Sequence, residues 1–271
     1  MRKFRKEDLS VHHYLRFNVL NEYVEEESNV PLTYLDTVSA SGSYVYEAVS
    51  NVTPSPTSLG RGWVYLDAYG DTTQQSGSIT VRDESGSVIS GSEYRIDYID
   101  GRIITASTTV VPATVTYKYF YVSLVNEWED VKAAHPPVVV LQLESFRKEG
   151  FQLGGGKRVP RNCRCHIFAA DRAERDDIME LIYDGLYNKS CPSQTWSRGS
   201  MLDWDGTFNA SYVYETEEYQ SNLHFDNVGA RHISPPLFGD VPGTADVYGM
   251  LSDLNRYRAR IDFEMFYWEE Y

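Results

Sequence analysis

Asn162-Cys163-Arg164-Cys165-His166-Ile167-Phe168-Ala169-Ala170-Asp171-Arg172-Ala173-Glu174-Arg175-Asp176-Asp177-Ile178 is the stretch whose reading decides the fold of this chain. Residues 162–169 have the composition of a strand, and a helix follows them immediately. Asp171 with Glu174 three residues on is a capping box: the first carboxylate accepts orphan backbone N–H groups at a helix start, and the second reaches back. Ile178, Leu181, Ile182 and Leu186 then mark the buried stripe of a helix that runs to Asn188. Upstream, Val138 to Phe146 alternates, so the two strands read as a hairpin joined by a long, glycine-rich, basic connection. At the C-terminal end, Tyr257, Ala259, Ile261, Phe263, Met265 and Tyr267 alternate with Arg258, Arg260, Asp262 and Glu264, a strand with one buried and one charged face. Between helix and closing strand, one further strand is expected near Asn222 to His232. The rest reads as loops, with Cys191-Pro192, Asp203-Trp204-Asp205-Gly206 and Pro235-Pro236 as turn signals.

Outward from this core the composition changes. From Ser39 to Val125 it is rich in Ser, Thr, Gly, Tyr and Val, with strands expected at Trp63–Leu66, Gly77–Val81, Tyr94–Tyr98, Ile103–Thr105 and Val115–Leu124. Asp100-Gly101 reads as a type I′ hairpin turn, whose two central residues both need positive φ. This spacing suggests an inserted immunoglobulin-like sandwich. Ser39-Ala40-Ser41-Gly42-Ser43 and Ala133 to Pro137 read as its linkers. Before it, in a zone that runs to about Val30, Leu9, His12, Leu15, Val19, Tyr23 and Val24 recur at helical spacing, which predicts an amphipathic helix whose pattern ends at Glu25-Glu26-Glu27, while Val11, Leu15, Phe17 and Val19 also allow a partly extended reading. The expectation is an α+β fold, an antiparallel or mixed sheet with packed helices. Residues 1–38 form its N-terminal helical part, 39–125 the inserted sandwich and 126–271 the remaining core.

The chain has 271 residues, enough for two domains or one domain with a large insertion. With 21 Tyr, 11 Phe and 5 Trp it is too apolar and aromatic to be disordered. Its 25 Lys and Arg against 39 Asp and Glu give a formal net charge of −14, which repels phosphate backbones and argues against sequence-specific DNA binding. The sequence contains no apolar run of membrane-span length and no basic start leading into an apolar segment, so a soluble, unexported protein is expected. Three cysteines do not make a disulfide framework, which fits a reducing cytoplasm.

Each motif suggestive of chemistry fails on detail. Gly154-Gly155-Gly156-Lys157-Arg158 lacks the first Walker glycine, where Phe151 stands, and carries Arg158 where Ser or Thr should bind magnesium. Cys163 and Cys165 share one strand face while His166 points away, so they do not converge on one metal ion. Asp203-Trp204-Asp205-Gly206 lacks the later oxygens of a calcium loop. The six histidines have no HExxH spacing, there is no Gly-x-Ser-x-Gly elbow, and no local pattern separates a raised-pKa acid from solvated carboxylates. No catalytic residue, cofactor or metal site is therefore assigned, and the chain reads as a non-enzyme. The feature that stands out is basic: Arg147, Lys148, Lys157, Arg158, Arg161 and Arg164 lie on one hairpin of an acidic chain, either solvated or an arm that docks on an acidic partner such as another copy.

The third region resembles a family, the tail terminator or tail-completion proteins that close the head-proximal end of tailed-bacteriophage tails. The resemblance is carried by the strand His166-Ile167-Phe168-Ala169-Ala170 leading into Arg172, Glu174, Asp176, Asp177 and Ile178, and by Asn255-Arg256-Tyr257-Arg258-Ala259-Arg260-Ile261-Asp262-Phe263-Glu264. It covers about half the chain and leaves out the Ser39–Val125 segment, whose presence keeps a neck or head-to-tail adaptor open as a sister assignment. The family implies a non-enzymatic virion protein, assembled in the host cytoplasm, that forms a ring, typically of six subunits. That ring meets the tail tube or sheath protein and the neck connector, and DNA passes through it without specific binding. The alternative is a carbohydrate-binding or host-adhesion virion protein that uses the sandwich and its tyrosines.

Overall fold

Alternation and turn chemistry build most of this chain into sheets, with few helices, so the fold is α+β. The computed structural model describes residues 3–38, 43–53, 55–65, 79–106, 111–132, 134–146, 149–150, 157–192, 194–196, 202, 205–208, 214–216, 223–233 and 257–269. The expected linker residues 39–42, the Gly154-Gly155-Gly156 tip, Arg147, Lys148, Asp203-Trp204 and Pro235-Pro236 lie outside the described residues. The chain divides into two compact units: 21–121 with 196–214, and 1–20 with 122–195 and 215–271.

The helix at the start of the chain, α1 (Lys3–Tyr14), passes through a π turn (Leu15–Val19) and a 3-10 turn (Leu20–Tyr23) and then becomes the long strand β1 (Val24–Val38). The helical pattern expected to reach Glu25-Glu26-Glu27 is therefore corrected at its end: the last turn closes at Tyr23 and the strand begins at Val24. The acidic run that seemed to end a helix opens a strand, because β1 gains ladders on both sides. Its first half pairs with β6 (Pro112–Phe120) and its second half with β2 (Ser43–Ala48). Glu25 and Glu27 lie opposite Tyr119 and Tyr117, accepting a hydrogen bond from Tyr119 Oη at 2.5 Å and another from Tyr117 Oη. Such cross-strand pairs outweigh intrinsic propensity.

With β3 (Ile79–Asp83), β4 (Tyr94–Asp97) and β5 (Arg102–Thr105), these strands form a six-stranded antiparallel sheet in the order β3-β6-β1-β2-β5-β4. Its core holds Trp63 stacked on Tyr117 at 4.2 Å, with Val81, Ile103 and Val115 fully buried. Trp63 joins the sheet through a single bridge to Tyr119. The β4–β5 connection differs from the expected type I′ turn: only Gly101 takes positive φ, at 65°, while Asp97 Oδ1 accepts from the backbone N–H of Ile99 and of Asp100. The side-chain cap on those two amides stabilises a four-residue loop instead.

The second unit is built on β7 (Ser123–Val125), β8 (Val138–Phe146), β9 (Glu149–Gly150), β10 (Lys157–Phe168), α2 (Arg172–Leu186), β11 (Ser190–Cys191), β14 (Leu223–Ile233) and β15 (Arg258–Glu269). A separate ribbon pairs β12 (Gln194–Trp196) with β13 (Tyr214–Thr216). The main sheet runs β11-β14-β15-β10-β8-β7, antiparallel except for β7–β8, with β9 beside β10. Odd-numbered residues of β10 and β15 form the inner face; Cys165, Ile167, Ala259 and Ile261 are fully buried there, where α2 packs through Ile178, Ile182 and Leu186. Among the described residues no helix is long and apolar enough to cross a membrane.

Candidate interaction surface

Strand alternation sends the even-numbered side chains of β10 and β15 to the opposite, outer face of the second unit's sheet. The two strands pair over twelve residues, which sets Asn162 opposite Glu264, Arg164 opposite Asp262 and His166 opposite Arg260. At one end of this face a 3-10 turn, Trp128–Lys132, covers Val138, Val140 and Phe168. Beyond it lies a charged lattice. Asp262 is its hub, meeting Arg164 Nε at 3.1 Å, Arg260 Nε at 3.0 Å and Arg231 at 3.4 Å. Arg164 also pairs with Glu144 on β8. Arg158 meets Glu264 at 2.5 Å and Asp226 at 3.6 Å while its guanidinium lies 4.2 Å over the Phe266 ring. Asn162, Arg164, Asn227, Asp262 and Glu264 line a recess of about 230 Å³.

Near the covered end, Arg258 donates to His166 Nδ1 at 2.9 Å and lies 5.2 Å over the Trp128 ring. Desolvation, reinforced by Arg258, Arg260 and Arg164, pushes His166 down to about 4, so it is neutral and accepts from the guanidinium. The cysteines behave as small apolar groups. Burial pushes the Cys163 and Cys191 thiols up and raises Cys165 to about 12, so the three stay protonated at neutral pH.

The basic residues singled out from sequence do not form one exposed patch. Arg158 and Arg164 lie on the outer face, already paired with carboxylates of the same chain. Arg161, three residues from each, falls on the inner face and is only 9% exposed. It contacts Glu7 at 3.2 Å and Asp8 at 2.6 Å on α1, and donates to the carbonyls of Glu144 and Leu143. Those carbonyls lie where the β8–β10 register shifts, so one guanidinium closes a β-bulge and anchors a helix. Arg161 is thus an internal clamp rather than a docking group. Lys157 is half-buried at the start of β10, opposite Glu269.

Sequence reasoning did not find Glu144, Asp226 or Arg231 as members of this surface. Their signal was present only as charges at alternate positions, and nothing local specifies which strand pairs with which. No family model, curated protein or solved structure matches this chain.

Proposed function

We propose that this chain is a non-enzymatic structural subunit of a tailed-bacteriophage virion. In this reading it forms a ring, typically of six subunits, that terminates the tail and joins it to the head. The observation that carries the reading is the outer face of the second unit's sheet, an array of both charge signs held in register. Preorganised arrays of this kind suit specific, repeated protein contacts. Of the two stretches that carry the family resemblance, the first runs from β10 into α2 and the described part of the second, from Tyr257, leads into β15; β10 and β15 lie side by side, and α2 packs on their inner face. The six-stranded unit is read as the immunoglobulin-like decoration of that core. A net charge of −14 suits a conduit through which DNA passes without being held.

The experiment is electron microscopy of the purified chain in negative stain, paired with light scattering. Closed rings that attach to tails support the proposal, and a monomer that yields no ring in stain would sink it. A second reading, glycan binding, rests on Tyr34, which is 47% exposed with Tyr46 at 5.5 Å and Tyr44 at 6.3 Å. Glycan affinity of a monomer, lost in Tyr34→Ala, would favour that reading instead.

A further inference from the structure

The charge distribution sets one surface apart from the rest of the molecule. On the outer face, salt bridges and strand register bring together Arg158, Arg164, Arg231, Arg258 and Arg260 with Glu144, Glu149, Asp226, Asp262 and Glu264. These five positive and five negative groups of the strands cancel, in a chain whose formal net charge is −14. Two acidic surfaces pressed together repel, and burying them costs desolvation as well. A set of strands whose charges cancel, and which presents the exposed Arg231, meets an acidic surface without that penalty.

We propose that the outer face of the β14-β15-β10-β8 sheet receives the acidic surface of a second copy of this chain. This rests on the ring reading above, since a contact between two different surfaces of one chain repeats around a ring. Arg231 and Trp128 are the groups best placed to reach across. Arg231 has a side chain 58% exposed and, among the described residues, one ion pair, at 3.4 Å, and Trp128 is 39% exposed beside Arg258. Arginine and tryptophan are the residue types that most often dominate interface energetics.

The arrangement fixes the sign of two substitutions on one strand. Arg231→Glu turns the face acidic and should weaken self-association about tenfold, whereas Asp226→Lys, at a position 53% exposed, should strengthen it by a similar factor. The measurement is sedimentation equilibrium of the full chain at 0.1 M salt, with circular dichroism melting to verify folding. If Arg231→Glu fails to fold, Arg231→Gln carries the same sign at a smaller amplitude. Equal association of both variants and the parent chain would overturn the proposed surface while leaving the ring reading intact. Weakening by both substitutions, with recovery when the variants are mixed, would also overturn it, because the face would then meet itself. A parent chain that stays monomeric at tens of micromolar removes the ring reading as well.

Discussion

Replacing Arg161 by Met separates a structural clamp from a surface charge. The side chain is 10% exposed and that of Glu7 only 5%, so removing the guanidinium leaves a buried carboxylate without its cation and the carbonyls of Leu143 and Glu144 without those donors. Breaking a buried pair on one side costs ~3 to 5 kcal/mol. The Asp8 contact adds little, because Asp8 is half exposed. In a unit of roughly 150 residues, each kcal/mol moves the melting temperature by about 2 to 4 °C, so the loss is about 6 to 20 °C. Burial already raises the Glu7 pKa above 4.5, opposed by Arg161. The folded chain therefore holds a proton there that the unfolded chain releases, and ionisation of Glu7 costs stability as pH rises past about 4.5. The Arg161→Met deficit should accordingly be largest at neutral pH and shrink towards pH 5. Glu7→Leu in the same chain should recover part of it. Thermal and urea unfolding at pH 7 and pH 5 test this. A variant within 1 kcal/mol of the parent at pH 7, by the same ~3 to 5 kcal/mol reasoning, would refute the clamp.

Gly185→Ala on α2 should destabilise despite alanine's higher helix propensity of ~1 kcal/mol, because the new Cβ would lie 2.7 and 2.9 Å from the two methyls of Val19. Overpacking costs ~1 to 3 kcal/mol, and Val19→Ala in the same chain should relieve it; a urea midpoint that rises in the single variant contradicts the packing. Acid should weaken the second unit: desolvation holds buried His13 at about 4, and His166 is also held at about 4, so both stay neutral in the folded chain while the unfolded chain protonates near 6.5. Stability present above pH 6.5 is then lost as pH falls towards 4, by up to roughly 3 kcal/mol for His13, partly offset by Glu7. Urea midpoints at pH 7, 6 and 5 should decline in the parent and decline less in His13→Leu; a flat series would contradict this.

What was legible in the sequence was local. Asp171 accepts from the Glu174 N–H at 2.9 Å and Glu174 accepts from the Ala170 N–H at 2.9 Å, as a box of that spacing requires. Of the expected stripe, Ile178, Ile182 and Leu186 are fully buried, while Leu181 is half-buried because a strict four-residue step drifts away from it. The strand Val138–Phe146 and the charged face of the closing strand follow from alternation alone. The start of the chain was misread because Leu15, Val19 and Tyr23 keep helical spacing up to the last turn. The strand from Val24 depends on tyrosines some ninety residues away.

The basic hairpin shows why composition alone misplaces a site. A step of three along a strand changes face, so Arg158 and Arg164 share a side that Arg161 cannot. Once the faces are separated, the carboxylates of β8, β14 and β15 decide what each arginine does. Register supplies these partners, and register is set by pairing between distant segments rather than by neighbours in sequence. Arg164, held by two carboxylates, acts mainly to orient Asp262 and Glu144. Arg231 is bound more loosely and is more exposed, so it can exchange its contact for one across an interface at the lowest cost in own-chain pairing. In the proposed assembly the positions that count are therefore those where the sheet leaves a charge incompletely engaged, and in this lattice that condition selects β14 over the basic hairpin.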